Sequence, residues 1–351
     1  MKKILRMLAI SLVAVGISTP PVFAQDAWQQ VQSDTTVELR GLSVVSANIA
    51  WASGQKGTVL KTVDGEHWKT LVVPEAENLD FRDIQGFDHL TAIAMSAGPG
   101  AASRMYKTID GGASWQLMIT NPDPNGFWDA MDFWDANNGV VFGDPVNGQF
   151  QVLLTSDAGK TWHAVAKDPR QLAALANEGA FAASGTCLSV KGPGDVWFVT
   201  GGAEVTRVFH SSDRGQTWAN SVTQIPAAAA ARGLFSVAFS DSKHGFAVGG
   251  DYQKTTLPNL NGVRTEDGGK TWQDAPILPA GFLSVVTTVP AAPQVWVAGG
   301  LTGSGVSVDG GKSWQVLTST PINALGFANQ TLGWAIGPKG LLMKYVGKKL
   351  E

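Results

Sequence analysis

The stretch Thr265-Glu266-Asp267-Gly268-Gly269-Lys270-Thr271-Trp272 decides the fold, because its pattern occurs six times. The other copies are TVDGEHW from Thr62, TIDGGASW from Thr108, TSDAGKTW from Thr155, SSDRGQTW from Ser211 and SVDGGKSW from Ser307. Their tryptophans, Trp68, Trp115, Trp162, Trp218, Trp272 and Trp314, follow one another at 47, 47, 56, 54 and 42 residues. Periods of this size mark solenoids, propellers or arrays. Upstream of the motifs recurs a β-rich run ending in a small residue. Its copies are IAWASG from Ile49, LTAIAMS from Leu90, GVVFG from Gly139, VWFVTGG from Val196, GFAVGG from Gly245, VWVAGG from Val295 and GWAIG from Gly333. These number seven, one more than the Asp motifs.

Each unit reads as four short strands, clearest over Leu234–Phe239, Gly245–Gly249, Val263–Thr265 and Thr271–Asp274. A four-stranded antiparallel unit at this period is a propeller blade. The predicted class is all-β, a seven-bladed β-propeller formed as one domain by residues 25–351. Helical periodicity is confined to a predicted insertion at Asp168–Glu178. The seventh blade lacks a fourth strand after Leu341–Val346. The segment Ala27-Trp28-Gln29-Gln30-Val31 resembles Ser313-Trp314-Gln315-Val316-Leu317, so Trp28–Gln32 is expected to close the ring and remove two open sheet edges.

Composition narrows the function classes. The chain has 351 residues, 44% hydrophobic and 16% charged, with 41 Gly, 13 Trp and one Cys. It is neither a disordered polyelectrolyte nor a disulfide scaffold. Lys2, Lys3 and Arg6 precede an apolar run, Met7–Ile17, and Val22-Phe23-Ala24 supplies small residues for cleavage before Gln25. Residues 1–24 therefore read as an export signal, too short in its apolar part to anchor in a membrane. The remainder carries 29 acidic and 23 basic side chains. That balance offers no electrostatic footprint for nucleic acid and no attraction to an anionic membrane. An exported, periplasmic or secreted monomer is expected.

Turn chemistry accounts for the Asp motif. Asp64, Asp110, Asp157, Asp213, Asp267 and Asp309 would accept backbone N–H bonds of their own hairpins, Gly would supply positive φ, and Trp would cover the turn. Six equivalent copies suit repeated structure better than catalysis or calcium binding, for which one constellation would suffice.

The pattern S/T-x-D-x-G-x-S/T-W resembles the Asp-box, or BNR repeat, of sialidase-type propellers. With a GWAVG-like strand before each box, Trp28–Val346 resembles the photosystem II stability/assembly factor family. That resemblance implies a secreted or lumenal seven-bladed propeller that assists assembly of membrane protein complexes. It further implies that the boxes lie on one face and binding on the other. The chain departs from bacterial photosynthetic members in having no lipid-attachment Cys after Ala24.

On the opposite face the loops leading into first strands would present Arg40, Arg82, Trp128, Asp129, Glu178, Ser184 and Arg232. The loops after second strands would present Asp144, Asp251 and Tyr252. Two insertions, Lys167–Ala183 and Asp251–Asn261, map there too, where recognition loops usually sit. Arginines, acids and aromatics on one rim would suit an anionic or carbohydrate-like group, or a polypeptide segment. The bland alternative pairs the arginines with acids such as Asp83 and Asp129, and makes Asp144 a turn initiator.

A sialidase-like hydrolase would need three arginines (Arg40, Arg82, Arg232), a Tyr nucleophile (Tyr252) partnered by an acid (Glu178), and a second acid (Asp129). The Arg-Ile-Pro signature of sialidases is missing, since Gly41-Leu42 follows Arg40. His67, His89, His163, His210 and His244 show no metal-ligand spacing, and Cys187 has no nearby His. No Gly-rich loop precedes a helix, so no nucleotide cradle is visible. The expectation is a propeller with no metal or cofactor that binds a protein partner, such as a membrane-complex subunit, with glycoside hydrolysis as the alternative.

Overall fold

The computed structural model describes residues 27–164 and 168–351. The expected export signal, residues 1–24, lies outside the described residues. Seven four-stranded antiparallel sheets follow one another in chain order, making the seven-bladed propeller anticipated from the repeats. Blade five runs Arg232–Phe239, Gly245–Asp251, Gly262–Thr265 and Gln273–Asp274. Its first two strands extend two residues beyond the sequence reading, and those extra residues reach the loop face.

Burial follows position in the blade. Second strands such as Ala50–Gly54 and Ala92–Ser96 are buried at every position, because neighbouring blades cover both faces of the sheet. This explains their continuous runs of apolar and small residues. Three of them carry Gly at their first or second position for lack of room. A Cβ on Gly139, Gly245 or Gly333 would lie 2.5–2.6 Å from the ring of Phe133, Phe239 or Phe327 at or near the end of the preceding strand.

The N-terminal strand closes the ring. Trp28–Gln30 pairs antiparallel with Leu342–Tyr345, with Trp28 opposite Tyr345 and Gln30 opposite Met343. The Val31 N–H donates to Leu342 O at 2.8 Å, and the Val346 N–H donates to Ala27 O at 2.9 Å. The Trp28 ring packs edge-on against Tyr345 at 5.4 Å and tilted against Phe327 at 5.8 Å.

The predicted helix at Asp168–Glu178 is absent. Only one 3-10 turn forms, Pro169–Leu172, with the Asp168 carboxylate accepting from the Arg170 N–H. Ala173 then takes extended backbone and bridges Gln149, and Asn177 adopts a positive φ of 62°. The segment instead pairs with blade three, where the Ala174 N–H donates to Gly148 O at 2.9 Å.

The innermost strands line a central channel in which side chains tie blade to blade. Asp83 accepts from the Met131 N–H, Asp132 from the Val190 N–H, Ser43 Oγ from the Gly86 N–H and Ser236 Oγ from the Val286 N–H. Burial pushes the Asp83 carboxyl well above its usual range and the Asp132 carboxyl up to about 6.

Candidate functional site

Antiparallel connectivity sorts the loops. Within each blade, the turn between strands one and two and the turn between strands three and four point the same way. The loops between strands two and three, and those crossing to the next blade, point the other way. The six Asp motifs occupy the first of these faces.

There each Asp is consumed by its own turn. Asp157 Oδ1 accepts from the Thr161 N–H at 2.9 Å and the Thr155 hydroxyl at 2.9 Å, and Oδ2 accepts from the Thr161 hydroxyl at 2.6 Å. The Thr155 hydroxyl oxygen accepts from the Gly159 N–H. The same set recurs at Asp110, Asp213, Asp267 and Asp309. In the shorter first copy, Asp64 accepts from the Glu66 and His67 N–H groups and faces the His67 ring. These hydroxyl and amide donors hold Asp110 and Asp157 down at about 2. Trp162, Trp218 and Trp272 donate their indole N–H to the carbonyls of Gly159, Gly215 and Gly269, folding each ring over its turn.

On the opposite face the sequence builds a cavity from irregularities in the first strands. In blade one the ladder slips between Leu39 and Gly41, in blade two between Phe81 and Asp83, in blade three between Trp128 and Ala130, and in blade five between Leu234 and Ser236. The four bulged residues are Arg40, Arg82, Asp129 and Phe235. Bulges of this kind re-aim a side chain out of the regular alternation. All four line one cavity of about 410 Å³, joined by Asp144, Tyr252 and the apolar residues Phe127, Phe181, Phe282 and Leu301. Phe181 and Phe235 stack at 3.9 Å, Phe282 packs edge-on to Phe235 at 4.7 Å, and Tyr252 packs against both Phe181 and Phe235.

The charges in this cavity are mostly spoken for. Arg40 pairs with Glu38 at 3.1 Å, and Arg82 pairs with Asp80 at 2.9 Å and donates to Ala182 O. Desolvation lowers the Arg40 guanidinium below its ordinary value. Asp144 accepts from the Ala180 N–H at 2.8 Å, and burial raises it. Asp129 is 1% exposed and its carboxyl makes no well-aligned hydrogen bond, although the Asp144 and Ala182 backbone amides lie beside it. Its burial and the neighbouring Asp144 push it well above the usual carboxylate range, against the pull of Arg82.

Several expectations are corrected here. Trp128 does not face a partner: it is fully buried between blades, because the bulge turns Asp129 outward and sends its neighbour into the core. Glu178 is buried and saturated, accepting from Arg207 through both oxygens, from the Thr200 hydroxyl and from the Leu175 N–H. No hydrogen bond joins it to Tyr252 among the described residues. Arg232 and Asp251 pair across the strand ladder at 2.9 Å and stand outside the cavity lining, while Asp251 also caps the Gln253 and Lys254 amides. The arginines thus pair with Glu38, Asp80 and Asp251 rather than with Asp83 or Asp129. Ser184 is spent on Ser284 O and the Thr186 hydroxyl. The structure therefore brings together Arg40, Arg82, Asp129, Asp144 and Tyr252. It adds the phenylalanine wall, which sequence reasoning missed.

No family model matches the chain. The photosystem II assembly protein Ycf48 of Thermosynechococcus vestitus (strain NIES-2133 / IAM M-273 / BP-1) is 25% identical over 379 residues, spanning 97% of this chain and 92% of that protein. The chain resembles Ycf48. The Ycf48 of Synechococcus sp. (strain JA-3-3Ab) is 24% identical over 81% of this chain and 89% of its own length. Among solved structures, YCF48 bound to D1 peptide superposes with a TM-score of 0.67 at 17% identity, covering 93% of this chain and 99% of that one. YCF48 from Cyanidioschyzon merolae gives a TM-score of 0.66 at 17% identity, covering 91% and 99%. The resemblance to the photosystem II stability/assembly factor family read from the boxes thus extends to named Ycf48 relatives, and the superpositions show the shared seven-bladed fold.

Proposed function

We propose that this chain is an exported, non-catalytic propeller that binds a segment of a partner protein in the loop-face cavity, as an assembly scaffold for a membrane protein complex. The observation that carries this reading is the convergence of four bulged first-strand residues, Arg40, Arg82, Asp129 and Phe235, on one concave site with an aromatic wall. A rigid ring that re-aims four side chains from four blades into one hollow is preorganised for a ligand. The Ycf48 relatives are named as assembly proteins, and one solved YCF48 holds a D1 peptide; both support a polypeptide partner. Hydrolysis has less support, because the Tyr–Glu pair it needs is not formed and Arg232 lies outside the cavity.

Residues 1–24, read as an export signal, favour a site of action in the envelope or outside the cell. The test is photo-crosslinking in the native host, with a benzophenone side chain at Tyr252 on the loop face or at Ile109 on the box face. Adducts from position 252 alone are expected. Adducts from position 109 alone would refute the assigned face.

A further inference from the structure

We infer that the loop-face cavity takes an organic ammonium group, seated on Asp129 with its flanking apolar group against the phenylalanine wall. This rests on reading the cavity as the partner site and names the chemistry that site recognises. The first strands of blades one and two open with the same three-residue pattern, Glu38-Leu39-Arg40 and Asp80-Phe81-Arg82, in which the acid neutralises the bulged arginine. Blade three opens with Phe127-Trp128-Asp129. At the bulge it carries an acid, and two residues earlier, where a counter-charge would stand, it carries a phenylalanine.

The consequence is an unbalanced demand. The two arginines already face Glu38 and Asp80, and Arg82 also spends a donor on Ala182 O. Asp129, almost wholly buried, has two oxygens with no well-aligned donor, the Asp144 and Ala182 amides lying beside it, and Asp144 stands close enough to raise it. Leaving a buried carboxyl without hydrogen bonds is costly, so a ligand that brings N–H donors and positive charge is favoured. An incoming carboxylate would bring negative charge beside Asp129 and Asp144, two carboxyls whose charged forms burial already disfavours. The wall supplies the apolar flank, Phe181 and Phe235 being stacked on each other with Tyr252 and Phe282 packed edge-on. Arg40 Nε, buried and without an acceptor, would donate to a carbonyl beside the ammonium. Among the described residues no group of three or more His, Cys, Asp or Glu side chains could hold a metal ion, which favours an organic cation.

Two parts of a polypeptide supply this chemistry: a lysine side chain and a free N-terminus. Calorimetric titration of the full-length protein with N-acetyl-lysine methylamide, phenylalanine methylamide and N-acetylphenylalanine separates them. One of the two cationic probes should bind at least tenfold more tightly than the anionic third, and which one does so identifies lysine or N-terminus. Asp129→Asn and Asp129→Ser should each weaken that probe at least tenfold. The inference is overturned if the anionic probe binds as tightly as either cation, if both Asp129 variants bind unchanged, or if no probe binds at millimolar concentration. Crosslinking from Tyr252 does not depend on ligand charge, so its failure would count separately against the partner-site reading.

Discussion

Single residues in this molecule divide by whether their polar atoms are satisfied inside the fold. Glu178 and Arg207 are satisfied and buried together, and Arg207 also lies over the Phe209 ring at 4.5 Å. Breaking such a pair strands a charge. Arg207→Met should therefore cost about 3–5 kcal/mol in denaturant unfolding, whereas the double change Glu178→Leu with Arg207→Met should cost much less. Asp129 is the opposite case, since it has no well-aligned partner to lose. Asp129→Asn should stabilise the protein by about 1–3 kcal/mol at pH 8. Burial raises the folded-state pKa of Asp129, so above the ordinary carboxylate range the folded state binds more protons than the unfolded one. Its contribution to stability therefore falls as pH rises, and Arg82 and Asp144 are the charged neighbours that set how far. The gain from Asp129→Asn should accordingly shrink below pH 4, as melts at the two pH values would show. A uniform gain would argue against a raised Asp129. Sequence placed Asp129, Arg40 and Arg82 on the loop face but could not separate Asp129 from Trp128 beside it. A one-residue bulge decides which of two neighbours faces the cavity, and nothing in the local pattern marks it. Glu178 was unreadable for a different reason: its partner Arg207 lies 29 residues away.

Among elements, the Asp turns were the most legible because their bonds are local, running from Asp to donors within four residues. Their packing against the next blade was less so. A Cβ on Gly311, whose φ is 82°, would lie 2.0 Å from the Phe246 ring of the preceding blade. Gly311→Ala combines a positive-φ penalty with a clash in a packed seam and should cost about 2–4 kcal/mol. It should leave probe binding at the opposite face intact, so a loss of binding in a folded variant would break the separation of the two faces. The acid-x-Arg openings of blades one and two were visible as spacing, since residues i and i+2 lie on the same side of a strand. Their acids, Glu38 and Asp80, went unread as partners because Asp83 and Asp129 seemed closer candidates on the rim. The predicted helix failed because the insertion finds a strand to pair with.

At the scale of the whole molecule, the ring is one cooperative object held by seven similar seams and a single closing strand. Deleting Gln25–Ser33 would reopen the edge of Leu342–Tyr345 and uncover Trp28's contacts with Tyr345 and Phe327. A fall of more than about 10 °C in the melting temperature is expected, and an unchanged melting curve would contradict closure as a stabilising device. The repeat period made the ring predictable, because each blade can bury its faces only against its neighbours. The cavity was less predictable, because its lining is gathered from strands and loops all around the ring. The most direct test of the account is hydrogen–deuterium exchange of the full-length protein with and without the partner that crosslinks at Tyr252. Protection should appear in the loops around Ala180–Ser184, Asp251–Leu257 and Leu278–Ser284, with the turns at Asp157 and Asp267 unchanged. Protection confined to those Asp turns would contradict it.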